Sequence, residues 1–115
     1  MMLSKGGGVL PLLVLHLIAQ GHCYGNEIMR EIAERSKGTW AGNPGAVYPL
    51  LRLLERQGLV IGEWEDNTKR TRRMYELTEA GLQEYATLKE LVQPGLREAI
   101  EVMRALFSEL YAEQV

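Results

Sequence analysis

Four of the five residues from 69 to 73 are cationic: Lys69, Arg70, Arg72 and Arg73, with Thr71 between the pairs. A cluster this dense suits the neutralisation of phosphates along a nucleic-acid backbone, and its bland counterpart is a solvated turn whose charges protect a sheet edge. Residues suited to covalent chemistry are scarcer. His16 lies in an apolar stretch and reads as a packed core residue rather than a base. His22 and Cys23 are adjacent with no second pair of ligands at metal spacing, which speaks against a zinc site. The single cysteine excludes an internal disulfide framework, and only His22 stands beside it to activate a thiol. Lys5-Gly6-Gly7-Gly8 lacks the preceding strand, the spacing and the closing Lys-Ser/Thr of a phosphate loop. No catalytic constellation is visible, and neither a cofactor nor a metal is expected.

The chain has 115 residues, 46% of them hydrophobic and 24% charged, enough for one domain with a real core or one small domain plus an extension. Those fractions exclude disorder and low complexity. The formal net charge of −2 has the wrong sign for a nucleic-acid binder. It is unevenly spread, however. Residues 1–43 sum to +1, residues 44–75 to +2 and residues 76–115 to −5, so the acidity belongs to the last third and masks a basic middle. Asymmetry of this kind suggests that different parts of the chain face different partners. The apolar stretch from Val9 to Ile18 follows Lys5 as in a signal peptide, but it is about half the roughly 20 residues that cross a bilayer, and no good cleavage site follows. It reads as a buried first helix, and the expectation is a soluble, cytoplasmic protein with no membrane partner.

The elements that must position the cationic cluster follow from periodicity and punctuation. Residues 9–20 predict a short helix, apolar on nearly all sides and ended by Gly21. Residues 25–36 predict a second, with Ile28, Met29, Ile32 and Ala33 inward. After a glycine-containing loop, Asn43-Pro44 reads as an N-cap and first helical proline. The third helix then runs to about Gln57, with Val47, Leu50, Leu51 and Leu54 on its inner face and Gly58 closing it. The period then changes. Leu59-Val60-Ile61 with Trp64, and Met74-Tyr75 with Leu77, fit two strands joined by a charged tip. Thr78 and Glu79 open a long helical region. From residue 92 the spacing of Val92, Leu96, Ala99, Met103, Leu106 and Leu110 makes a short seam of the kind that pairs helices, with Ile100, Phe107 and Tyr111 widening it. Pro94-Gly95 is expected to kink or split this helix, roughly into 79–92 and 95–112.

Three helices, a hairpin and a long terminal helix make a mainly α chain with a β-hairpin, laid out as a winged helix-turn-helix (residues 1–78) followed by a helical dimerisation region (79–115). In that layout helix three enters the major groove and the hairpin tip reaches the neighbouring backbone or minor groove. Arg52 and Arg56 fall on helix three and the cationic cluster on the hairpin, as the layout demands.

Tyr24-Gly25, Pro44-Gly45-Ala46-Val47-Tyr48-Pro49-Leu50-Leu51, Leu54-Glu55, Gly58-Leu59-Val60, Arg72-Arg73-Met74-Tyr75 and Leu77-Thr78-Glu79-Ala80-Gly81 occur in one order. Together they resemble the PadR family of bacterial transcriptional regulators, over about residues 9–82. The resemblance implies a dimeric repressor on a palindromic operator, relieved by a small molecule or stress signal, of the smaller branch with one long C-terminal helix. Ala46 departs from the Thr or Ser common there, and Asn26 and Pro94-Gly95 also depart from the family pattern.

The candidate DNA-binding residues are Tyr24, Lys37, Asn43, Gly45, Ala46, Tyr48, Arg52, Lys69, Arg70, Arg72 and Arg73. Tyr48 suits a phosphate or base-edge contact, or packing of its ring on helix two. Asn43 suits a cap before a contact. Arg52 suits a guanine edge, or a pair along its own helix. Tyr24 and Lys37 suit backbone contacts from helix two. Val92, Leu96, Ala99, Met103, Leu106 and Leu110 are the candidate dimer seam. The expected function is sequence-specific DNA binding by a homodimer, without enzymatic activity. The competing reading is a winged-helix protein-interaction module that binds no DNA, and a ligand pocket at the dimer interface is a third.

Overall fold

A computed structural model of the chain describes residues 8–22, 24–39, 44–66, 68 and 72–112. Four helices and one hairpin follow in order: α1 (Val9–Ala19), α2 (Gly25–Arg35), α3 (Pro44–Arg56), β1 (Val60–Trp64), β2 (Arg73–Leu77) and α4 (Glu79–Tyr111). The predicted sequence of elements is the observed one.

Helix α1 has no polar face and is buried accordingly: Val14, Leu15 and Leu17 are fully enclosed and Ile18 nearly so. Around it gather Ile28 and Ile32 of α2, Val47, Leu51 and Leu54 of α3, Val60 of β1 and Tyr75 of β2, one contiguous core. Leu88 and Tyr85 of α4 close it from the other side. His16 is satisfied there as a core residue, its Nδ1 2.6 Å from the Tyr85 hydroxyl.

Helices α1, α2 and α3 stop in the same way, on a residue with positive φ: Gly21, Lys37 and Gly58. After α3 the Gly58 amide donates to the Glu55 carbonyl at 3.0 Å and the Leu59 amide to the Leu54 carbonyl at 2.9 Å, which turns the chain from helix into strand. Lys37 does this without being glycine, at φ 51°.

The strands pair antiparallel, with Val60 opposite Leu77, Gly62 opposite Tyr75 and Trp64 opposite Arg73. Tyr24, just before α2, adds a single antiparallel bridge to Met74 and so ties the open edge of β2 to the helical part. The exit from the hairpin is tighter. The Thr78 hydroxyl donates to the Gly58 carbonyl at 2.6 Å and accepts from the Gly81 amide at 3.0 Å, while the Thr78 amide donates to the Leu59 carbonyl at 3.1 Å. Gly81 is buried, and a Cβ there would fall on the Leu59 carbonyl oxygen, far inside van der Waals contact. The Thr-Glu-Ala-Gly run is thus both helix cap and strand clamp.

Two expectations are corrected. Pro94-Gly95 does not split the terminal helix, since α4 runs unbroken for 33 residues, about 50 Å of helix. Pro94 lies on the exposed side, where water can serve the carbonyl that loses its partner. Val92 is not on an outer seam. It is only 2% exposed and packs by Gly8, where an added Cβ would lie 3.1 Å from Val92 Cγ2 and 3.8 Å from Leu88 Cδ2.

Replacing Gly81 with alanine is expected to lower stability by about 1–3 kcal/mol, because neither the helix nor the Leu59 carbonyl can yield cheaply. Chemical denaturation checks this, with Ala80→Gly as the exposed neighbouring control.

Candidate nucleic-acid interface

Helix α3 buries Val47, Leu51 and Leu54 and turns Gly45, Pro49, Arg52 and Arg56 outward, an i, i+4, i+7, i+11 row along one face. Among the described residues neither Arg52 nor Arg56 makes an ion pair, so the expected intrahelical partner of Arg52 is not taken up. The Pro49 ring sits where the helix would otherwise donate to the Gly45 carbonyl, on the exposed side. Tyr48 is half-buried, and a Cβ on Gly25 would lie 2.9 Å from its Cε1, so the ring packs on the start of α2. It also lines the open cleft between α3 and the hairpin. That cleft measures about 790 Å³ and is lined by Tyr48, Arg52, Arg56, Trp64, Arg72 and Arg73 among others.

The two wing arginines are not the free charges expected. Arg72 donates from Nε to Glu65 at 2.8 Å and from Nη2 at 3.2 Å, and its guanidinium lies 3.7 Å from the centre of the Tyr24 ring. The Tyr24 hydroxyl also donates to Glu65, at 3.4 Å. Arg73 donates from Nη2 to Glu55 of α3 at 2.8 Å and from Nε at 3.4 Å, and lies 5.2 Å from the Trp64 ring centre. The cause is plain in the register. Arg72 and Glu65 face each other just beyond the last ladder pair, and Arg73 points over β1 toward the end of α3. A guanidinium takes the two-pronged carboxylate contact wherever one is in reach.

Electrostatics follow from these pairs. The hydrogen bond from Arg72 holds the Glu65 carboxyl below the usual carboxylate range. The Glu31 carboxyl is likewise lowered, by its hydrogen bond from Arg35 one turn along α2. Burial pushes the Tyr75 phenol up, and the neighbouring Glu55 adds to that. His22 faces Glu27 at 3.5 Å and Glu31 at 4.0 Å across the start of α2.

The profile of the transcriptional regulator PadR-like family matches residues 14–87, from the buried half of α1 to the first turns of α4. The chain belongs to that family. It is 30% identical over 88 residues to the transcriptional regulator YqjI of Escherichia coli K12, covering 76% of this chain and 41% of that protein. The chain therefore spans less than half the length of that relative. A PadR-like transcriptional regulator of Bacillus cereus superposes with a TM-score of 0.69 at 22% identity, over 87% of this chain and 96% of the other. Bacillus subtilis PadR, solved in complex with operator DNA, superposes with a TM-score of 0.58 at 26% identity, over 69% of this chain and 46% of that one. This is a family of transcriptional regulators, not of enzymes.

Within this PadR-like framework the candidate residues divide. Tyr48, Arg52 and, through their partners, Arg72 and Arg73 border one cleft. Gly45 is exposed and Ala46 half-buried at the start of the α3 row. Tyr24 and Lys37 flank α2 at opposite ends, with the whole 11-residue helix, about 16 Å long, between them, so they are not one contact site. Asn43, Lys69 and Arg70 lie outside the described residues, as does Cys23. Sequence reasoning missed Glu55 and Glu65, which organise the wing. The available signal was the charge balance of residues 44–75, where acids sit among the bases.

In a titration followed by NMR, the Glu65 side chain is expected to titrate below the usual carboxylate range in the wild type and to move up toward that range in Arg72→Ala. A folded-state value lowered in this way means the Glu65–Arg72 pair is intact above the usual carboxylate range. It is lost only as pH falls through the folded value. Identical titration in the two proteins would dissolve the pair.

Proposed function

We propose that the chain is a sequence-specific DNA-binding repressor that acts as a homodimer in the cytoplasm. The observation that carries this reading is the outward row of α3, where Arg52 and Arg56 stand beside the cleft to the wing without a carboxylate partner among the described residues. A helix with an unpaired cationic face next to a hairpin suits the major groove, which admits one helix and presents guanine edges to arginine. That the related Bacillus subtilis PadR, at 26% identity, is found on operator DNA supports the same assignment. Tyr24, Lys37, Asn43, Gly45, Ala46 and Tyr48 are proposed as backbone-side contacts. Lys69 and Arg70 extend these contacts, Arg72 adds to them on release from Glu65, and Arg73 borders the same interface while held by Glu55.

The far half of α4 supports the dimer. Leu96, Met103, Leu106 and Leu110 are exposed in one chain, Met103 at 64% and Leu110 at 67%, with Ile100, Phe107 and Tyr111 beside them. An apolar groove of about 360 Å³ lined by Leu96, Ala99, Ile100, Met103 and Phe107 runs along the same face. A continuous apolar stripe of this length is covered in a stable protein, and a second copy of the helix matches its spacing. Two copies give two reading helices, which calls for a palindromic operator. Relief of repression by a small molecule or stress signal is part of the same proposal.

Selection of duplexes from a random pool is the direct test. It is expected to enrich a palindrome with half-sites about one helical turn apart. Failure to enrich any duplex at low salt and micromolar protein would favour an interaction module instead. Affinity for the enriched duplex is expected to fall with salt, and Arg52→Ala or Arg56→Ala to reduce the log–log slope by about 0.9 for each phosphate that is no longer neutralised. Leu106→Glu is expected to give a folded monomer in sedimentation and to weaken operator binding. A dimer that survived it would move the interface elsewhere.

A further inference from the structure

Glu55 is the last acidic residue of α3, one turn after Arg52 and beside Arg56, on the helix that presents the cationic row. A carboxylate there works against phosphate binding by its charge, so its presence calls for another role. Its own carboxylate is turned away from the row and over strand β1, where Arg73 grips it with two prongs, at 2.8 and 3.4 Å. The path over β1 exists because the intervening residue is Gly62. A Cβ there would lie 2.8 Å from Arg73 Nε and 2.9 Å from both Cδ and Oε1 of Glu55. The notch, the ion pair and the ring of Trp64 lying 5.2 Å from the Arg73 guanidinium all meet at one point, with both charged side chains only partly exposed. Charges held in a partly dry, two-pronged geometry resist rotation in a way that exposed pairs do not.

We propose that Glu55 is a positioning residue for DNA reading: through Arg73 and the Gly62 notch it fixes the angle between the reading helix α3 and the wing. The role deepens the DNA-binding assignment and rests on it. A phosphate clamp would lose all DNA equally when disturbed, because backbone contacts carry no sequence information. A strut that sets the relative placement of two reading elements acts differently. When it fails, each element still meets phosphate, but helix and wing no longer fit one site together, so discrimination falls while general affinity persists.

The test uses the full chain with the duplex it enriches from a random pool and a scrambled duplex of the same length and composition. Glu55→Gln keeps the shape of the side chain and removes its charge. Its Kd for the enriched duplex is expected to rise about tenfold, while its Kd for the scrambled duplex stays within about twofold and the helical circular dichroism is unchanged. Arg73→Lys keeps the charge and loses the second prong, and is expected to fall between wild type and Glu55→Gln. Should Glu55→Gln fail to fold, Arg73→Lys alone decides. Unchanged discrimination in a folded variant overturns the proposal, and so does an equal loss on both duplexes, which would mark Glu55 as a stabiliser only. A wild-type chain that prefers no duplex would instead overturn the DNA-reading assignment beneath it.

Discussion

A helix without a polar face can exist in water only when it is surrounded, and α1 is such a helix. Its Val14, Leu15 and Leu17 are wholly enclosed, and every other element contributes to the enclosure. The hydrophobic effect is indifferent to direction, so burial of α1 alone does not say how α2, α3, the hairpin and α4 are arranged around it. The arrangement comes from short polar devices at the joints: the turn after α3, the Thr78 clamp and the Tyr24 bridge to Met74. Apolar mass supplies the drive and a few hydrogen bonds supply the geometry.

The wing shows the same division at smaller scale. Taken residue by residue, it is a cationic arm. In the fold, Arg72 and Arg73 each answer a carboxylate, and each leans on an aromatic ring, Tyr24 or Trp64. The guanidinium group is what makes the double use feasible, since one planar fork can pair at its edge and stack on its face together. Arg52 and Arg56 on α3, with no such partners among the described residues, are left as the charges open to a ligand.

Much of this was readable beforehand. The all-round apolar run at residues 9–20, the stops at Gly21 and Gly58, the cap at Thr78 and the change of period after Gly58 are local signals, and local physics decided them. The features that were not readable depend on what comes near in space. Pro94 looks like a break when its missing hydrogen bond is considered alone, but it becomes tolerable once the neighbouring turns and the exposed position are known. Val92 fits a seam by spacing, yet it is buried in the core, while Leu96, Met103, Leu106 and Leu110 further along α4 are exposed. Glu55 and Arg73 are 18 residues apart, and only the fold brings them together.

Because α4 is one unbroken rod, its near half welded to α1 by Tyr85 and Leu88 and its far half bare, the molecule has no joint between its core and its exposed arm. Whatever seats on that stripe is therefore held at a set offset from the core that the near half of α4 helps to close.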